Sequence, residues 1–194
     1  DGIGDVCDGA CNYPGWVDQF GGTGSDNTNS VKADGSGNFH VVGTTAVDLD
    51  GAGPGLIGTS DLVISKYTAT GYYHWTRHLG LASSATQGTD VTVDSAGNVY
   101  VAGTSNGAID AANFKGQNDV LLAKYNNSGV LQWAKQFGTA TNEYGMAVAA
   151  DNLGNVYVAG YTYMNDIDGS GGYPGSYDIF IAKHDAVTGN QLWI

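Results

Sequence analysis

Two segments bring paired aspartates next to a turn glycine: Val47-Asp48-Leu-Asp50-Gly51 and Asn165-Asp166-Ile-Asp168-Gly169. Calcium takes roughly six to eight oxygen ligands, and such a loop offers two carboxylates together with backbone carbonyls. Asp48, Asp50, Asp166 and Asp168 are therefore calcium candidates. The complete Asp-x-Asp-x-Asp-Gly…Glu pattern is missing, and a solvated Asp-Gly turn accounts for the same residues. Beside the second pair stand Tyr163, Tyr173 and Tyr177. Aromatic rings near carboxylates suit stacking on a sugar, or ordinary loop packing.

The remaining constellations point away from catalysis. His74 and His78 read His-x-x-x-His, but on a strand four residues span roughly 13 Å, too far to share a metal. Gly53-Pro-Gly55-Leu-Ile-Gly58 fits the dinucleotide pattern but lies between strands, with no helix N-terminus to receive a phosphate. No Gly-x-Ser-x-Gly and no His/Cys cluster occurs, and Glu143 is the only glutamate. Asp61/Lys66, Asp119/Lys124 and Asp178/Lys183 recur in register. Residues five apart on a strand face opposite sides, so each pair is expected to bond a neighbouring unit or a turn backbone. The expectation is a protein that is not an enzyme.

These residues sit in a repeat. Trp16, Trp75, Trp133 and Trp193 are 59, 58 and 60 residues apart. Gly-Asn recurs at Gly37, Gly97 and Gly154, always before an apolar stretch that ends in Gly43, Gly103 or Gly160. Each unit reads as four strands. The first covers 30–34, 89–94 and 146–151; the second 39–45, 99–105 and 156–162; the third 62–67, 120–125 and 179–184; the fourth 72–79, 130–137 and a shortened 191–194. Gly and Asn in the turns supply positive φ at low cost. No window carries a sustained helical stripe, so helix is expected to be almost absent. Four antiparallel strands repeated radially make a propeller blade, which predicts an all-β chain of three blades at about 22–80, 81–138 and 139–194. The second strand is apolar on both faces, as expected where each blade is covered from both sides, and its glycine suits a bulge or a close backbone approach. Residues 16–21 match the end of a fourth strand with no blade before it.

The series Gly-Asn-Val-Tyr-Val-Ala-Gly, then Asp-x-x-x-x-Lys-Tyr, then Gly-x-Leu-x-Trp-x-x-x-Phe-Gly resembles the bacterial beta-propeller repeat family abbreviated SBBP, over roughly Trp16 to Trp193. The resemblance implies an exported, surface-associated repeat protein and no particular activity. Asp1-Gly-Ile-Gly-Asp5-Val-Cys7-Asp8 resembles the end of a thrombospondin type 3 calcium repeat. That implies Asp1, Asp5 and Asp8 as calcium ligands, although the upstream aspartates of a full repeat are absent. Residues 1–15 read as a linker.

Net charge is 7 − 19 = −12, which argues against nucleic acid and anionic membrane as partners. No apolar run is long enough to insert in a membrane. Low lysine and arginine with plentiful Gly, Asn, Ser and Thr suits an exported β-protein, extracellular or at the cell surface. Cys7 and Cys11 lie outside the blades and are expected to form a disulfide in an oxidising compartment; two free thiols, or pairing with cysteines elsewhere, are the alternatives. The chain opens without methionine and reads as processed or as a fragment. Propellers close with roughly four to eight blades, so three call for either further blades in a longer chain or head-to-tail self-association. Three functions remain: a structural or interaction module, a lectin-like adhesin binding glycans, and an enzyme completed by other sequence. The first is favoured.

Overall fold

The computed structural model describes residues 18–49, 56–171 and 175–194. Twelve strands run in chain order: β1 (Asp26–Ala33), β2 (Phe39–Thr45), β3 (Asp61–Tyr67), β4 (Tyr73–Leu79), β5 (Thr86–Val93), β6 (Val99–Ser105), β7 (Asp119–Tyr125), β8 (Leu131–Phe137), β9 (Asn142–Ala150), β10 (Asn155–Tyr163), β11 (Tyr177–Asp185) and β12 (Gln191–Trp193). They form three four-stranded antiparallel meanders, β1-β2-β3-β4, β5-β6-β7-β8 and β9-β10-β11-β12. The described residues contain no helix, hence none long and apolar enough to cross a membrane. The fold is an all-β propeller of three blades.

The turn that opens each second strand is built by its own sequence. Asp94 Oδ1 accepts from the Ala96 and Asn98 amides, and Oδ2 from Asn98 Nδ2 and the Tyr100 hydroxyl. Asp34 and Asp151 accept the same amide and asparagine bonds in the flanking blades. Gly97 holds φ at +80°, where a side chain is disfavoured. Burial works to raise the Asp94 carboxyl, but the hydrogen bonds from Asn98, Tyr100 and Ala96 outweigh it and hold it below the usual carboxylate range.

The first strands begin three to four residues earlier than the sequence pattern places them. The reason is a bulge. Register shifts between Thr28 and Ser30, and between Gly88 and Asp90, and at the matching place in β9 beside Gly160. A bulge inserts one residue and inverts the alternation beyond it, so the period-two pattern breaks where the strand continues. The repeated glycine faces this bulge: a Cβ on Gly103 would stand 2.0 Å from the Gln87 carbonyl oxygen.

Blades pack face to face. The leading face of each blade turns toward its successor and the trailing face toward its predecessor. One core joins Val42, Leu62 and Ile64 of the first blade to Val99, Val101 and Leu121 of the second. The other joins Tyr100, Val120 and Leu122 of the second to Val156, Val158 and Phe180 of the third. Only β6 and β3 are buried along their whole length; β10 alternates buried with half-buried residues, because its blade is covered on the trailing face alone.

Candidate functional site: the leading face of the third blade

The two seams inside the molecule define what a leading face does. Lys66 Nζ donates to Asn127 in the next blade's turn, to both its carbonyl and its side-chain oxygen, and Lys124 Nζ donates to the Ala186 carbonyl at 2.8 Å. Asp61 accepts from the Ile57 and Gly58 amides, and Asp119 from those of Lys115 and Gly116. Asp61/Lys66 and Asp119/Lys124 thus bond a turn backbone and a neighbouring blade, as their spacing requires. Inner strands add polar links: Asn29 Nδ2 to the Gly88 carbonyl, Ser30 Oγ to Asp90 Oδ1, Thr89 Oγ1 to the Gly145 carbonyl, and the Val148 amide to Asp90 Oδ2. The tryptophans are packing anchors here: Trp75 Nε1 donates to the Asn127 carbonyl, and Trp133 packs against the second core.

On the third blade the same positions have no cover among the described residues. Leu62 and Ile64, and Val120 and Leu122, are fully buried. Their counterparts Ile179 and Ile181 are 86% and 54% exposed. Trp193, the counterpart of Trp75 and Trp133, is also exposed. Lys183 lies 5.6 Å over the Tyr157 ring, as Lys124 lies 5.3 Å over Tyr100.

One end of this face departs from the repeat. Tyr144 and Tyr161 stack at 4.9 Å, Tyr161 meets Tyr177 edge-on at 5.5 Å, and Tyr177 lies 5.0 Å from Tyr163. The second blade has Gln87, Thr104, Asn118 and Asn106 at these places. Burial, then the neighbouring phenols Tyr144 and Tyr177, push the Tyr161 phenol up. Tyr163 and Tyr177 were legible as candidates; Tyr144 and Tyr161 join them only because β9 and β10 pair there. Tyr173 lies outside the described residues.

The third blade's acidic loop bonds largely to its own backbone. Asp166 Oδ2 accepts from the Gly171 amide and Asp168 Oδ1 from that of Ser170 at 2.8 Å. Asp166 and Asp168 line a shallow cavity with Asn165 and Asp178, and one oxygen each of Asp166 and Asp178 has no hydrogen-bond partner among the described residues. Among the described residues no three His, Cys, Asp or Glu side chains come close enough to share a metal ion. Asp48 belongs to the first blade's loop; its companion Asp50 lies outside the described residues, as do Asp1, Asp5, Asp8, Cys7 and Cys11.

A second feature is hidden in the seam between the second and third blades. Asp119 and Glu143 are both fully buried. They flank one glycine: a Cβ on Gly138 would stand 2.5 Å from Glu143 Oε2 and 2.7 Å from Asp119 Oδ1. Glu143 accepts from Thr139, both amide and hydroxyl, and from the Thr162 hydroxyl. Burial pushes the Asp119 carboxyl up, and the Glu143 charge adds to this against the two amide hydrogen bonds. A carboxyl raised in the folded state contributes stability below its unfolded value, near 3.8, and that contribution is lost as pH rises through the folded value. Carboxylates held low, such as Asp94, act in the opposite sense, so the coupling is read as a difference: as pH rises from below 3.8 through the carboxylate range, the urea midpoint of the natural protein is expected to lose ground relative to Glu143→Gln. An equal slope in both proteins would refute the coupling.

The family model of the beta-propeller repeat (SBBP) matches residues 74–109 and 132–168. Each match starts on the fourth strand of one blade and ends in the loop after the second strand of the next, so each spans one seam. No curated protein matches the chain.

Proposed function

We propose that this chain, built of SBBP beta-propeller repeats, is a non-enzymatic structural module that works by assembly, with the leading face of its third blade as the contact surface. One observation carries the reading: Ile179 and Ile181 stand exposed at positions that the other two blades bury completely. Apolar side chains in a contiguous exposed patch mark an interaction site. The low lysine and arginine content and the abundance of small polar residues favour an exported, extracellular setting.

Light scattering over a concentration series tests the reading. The natural chain is expected to gain mass with concentration, and Ile179→Asp with Ile181→Asp to keep it monomeric without lowering its melting temperature. A natural chain that stays monomeric throughout would overturn assembly. The tyrosine ladder favours a second reading, stacking on a glycan; a monomer that binds on a glycan array, and loses binding with Tyr177→Ala, would select it.

A further inference from the structure

We propose that the seam between the first and second blades is an acid-sensitive joint, with His40 as its proton sensor. The joint lies inside the chain and is independent of assembly.

Each second strand places one ring just after its Asp-x-x-Gly-Asn turn: His40 in the first blade, Tyr100 in the second and Tyr157 in the third. The two phenols end on the aspartate of their own turn, Tyr100 on Asp94 Oδ2 at 2.9 Å and Tyr157 on Asp151 Oδ2 at 3.2 Å. An imidazole is shorter than a phenol, and neither nitrogen of His40 makes a well-formed hydrogen bond among the described residues. The side chain is fully buried. It stands two residues before Val42 on the same face of β2, which turns it into the first core. Its ring lies 5.9 Å from that of Trp75.

The charges around this ring are mostly positive. Lys32 of β1 and Lys66 of β3 are its cross-strand partners. Arg77 of β4 lies 5.5 Å over the Trp75 ring. Asp34 opens the turn before it, and Tyr125 enters the same core from the second blade. Lys66 is buried and, among the described residues, has no carboxylate within ion-pair distance; Asn127 of the second blade holds its ammonium. In the other blades the matching lysine rests over a phenol ring, Lys124 at 5.3 Å from Tyr100 and Lys183 at 5.6 Å from Tyr157. In the first blade that ring is replaced by one that becomes a second cation when protonated. Two like charges side by side out of water repel strongly.

Burial, then the Lys66 charge, push the His40 imidazole down to about 4, against the Asp34 carboxylate, which favours the charged ring. An imidazole lowered in the folded state contributes stability that is complete above its unfolded value, near 6.5, and is lost as pH falls toward the folded value. The ring takes up its proton readily only when it leaves Lys66 and Trp75 for water, and that requires the first seam to part. His184 stands in the second seam, 5.0 Å from Phe137, with Lys115 and Lys135 lining the cavity beside it, and burial lowers it too. Its Nδ1 lies 3.1 Å from the Gly189 carbonyl, so the protonated ring keeps an acceptor that His40 lacks. The first seam therefore yields first.

The test compares the natural chain with His40→Tyr, which restores the ring of the other blades, and with His40→Gln, which is neutral at every pH and close to histidine in size. Two indole protons report the seams separately. Trp75 Nε1 donates across the first seam to the Asn127 carbonyl, and Trp133 packs against the second core. As pH is lowered from about 7 to about 5, where histidine charges, hydrogen exchange at the Trp75 indole is expected to gain on that at Trp133 in the natural chain. In both variants the two should keep pace. Below 6.5 the folded-to-unfolded ratio of the natural chain should also fall relative to His40→Gln, by up to about tenfold per pH unit for one proton. If His40→Tyr does not fold, His40→Gln decides alone. A Trp75 indole that keeps pace with Trp133 in the natural chain, or that gains on it as much in His40→Gln, overturns the proposal.

Discussion

Gly103→Ala is expected to destabilise the protein by about 3 kcal/mol or more, at the upper end of what overpacking costs. A Cβ there would stand 2.0 Å from the Gln87 carbonyl oxygen and 3.1 Å from its carbon. Both are main-chain atoms of the bulge on β5, so no side chain can swing aside. The blade is also covered on both faces, by the first blade's core and by the third's, which leaves the strands no direction in which to part. For a chain of this size the melting temperature should fall by roughly 6–12 °C. Gly35→Ala is the control: no heavy atom lies within 4 Å of its Cβ position, and the change should stay within about 0.5 kcal/mol. A Gly103→Ala protein as stable as that control would show that β5 and β6 do not approach as described.

A pair of truncations at one repeat position should give very different results. Leu122→Ala removes a fully buried side chain from the core between the second and third blades, and is expected to cost about 3 kcal/mol through lost burial and the cavity left behind. Ile181→Ala at the corresponding place of the third blade should cost about 0.5 kcal/mol or less in dilute solution, the range of surface substitutions, because that side chain is 54% exposed. Urea midpoints in dilute protein measure both. The same Ile181→Ala change should weaken association at high concentration. Equal costs for the two truncations in dilute solution would mean that the leading face of the third blade is covered, and would remove the ground for assembly.

Much of the fold was legible in the sequence because it is local and periodic. Asp-x-x-Gly-Asn specifies its own turn through one carboxylate and one positive φ. The second strands at 39–45 and 99–105 begin and end where the pattern places them. Four markers repeated at nearly constant spacing fix the number of blades. The start of each first strand was hidden because a bulge inverts the alternation on which strand reading depends.

Tertiary structure alone decided what surrounds each residue. Val120 and Ile179 are the same kind of side chain at the same place in the repeat, yet one is buried and the other exposed. Nothing local distinguishes them; the difference is whether a further blade lies against the face. Asp119 and Glu143 come together across a seam although 24 residues separate them, and Tyr144 reaches Tyr161 only through the register of β9 on β10. A repeating sequence determines the unit and its spacing, because turn and strand preferences act over a few residues. Burial, carboxylate coupling and the identity of the open face arise between units, so they depend on which blade stands next to which.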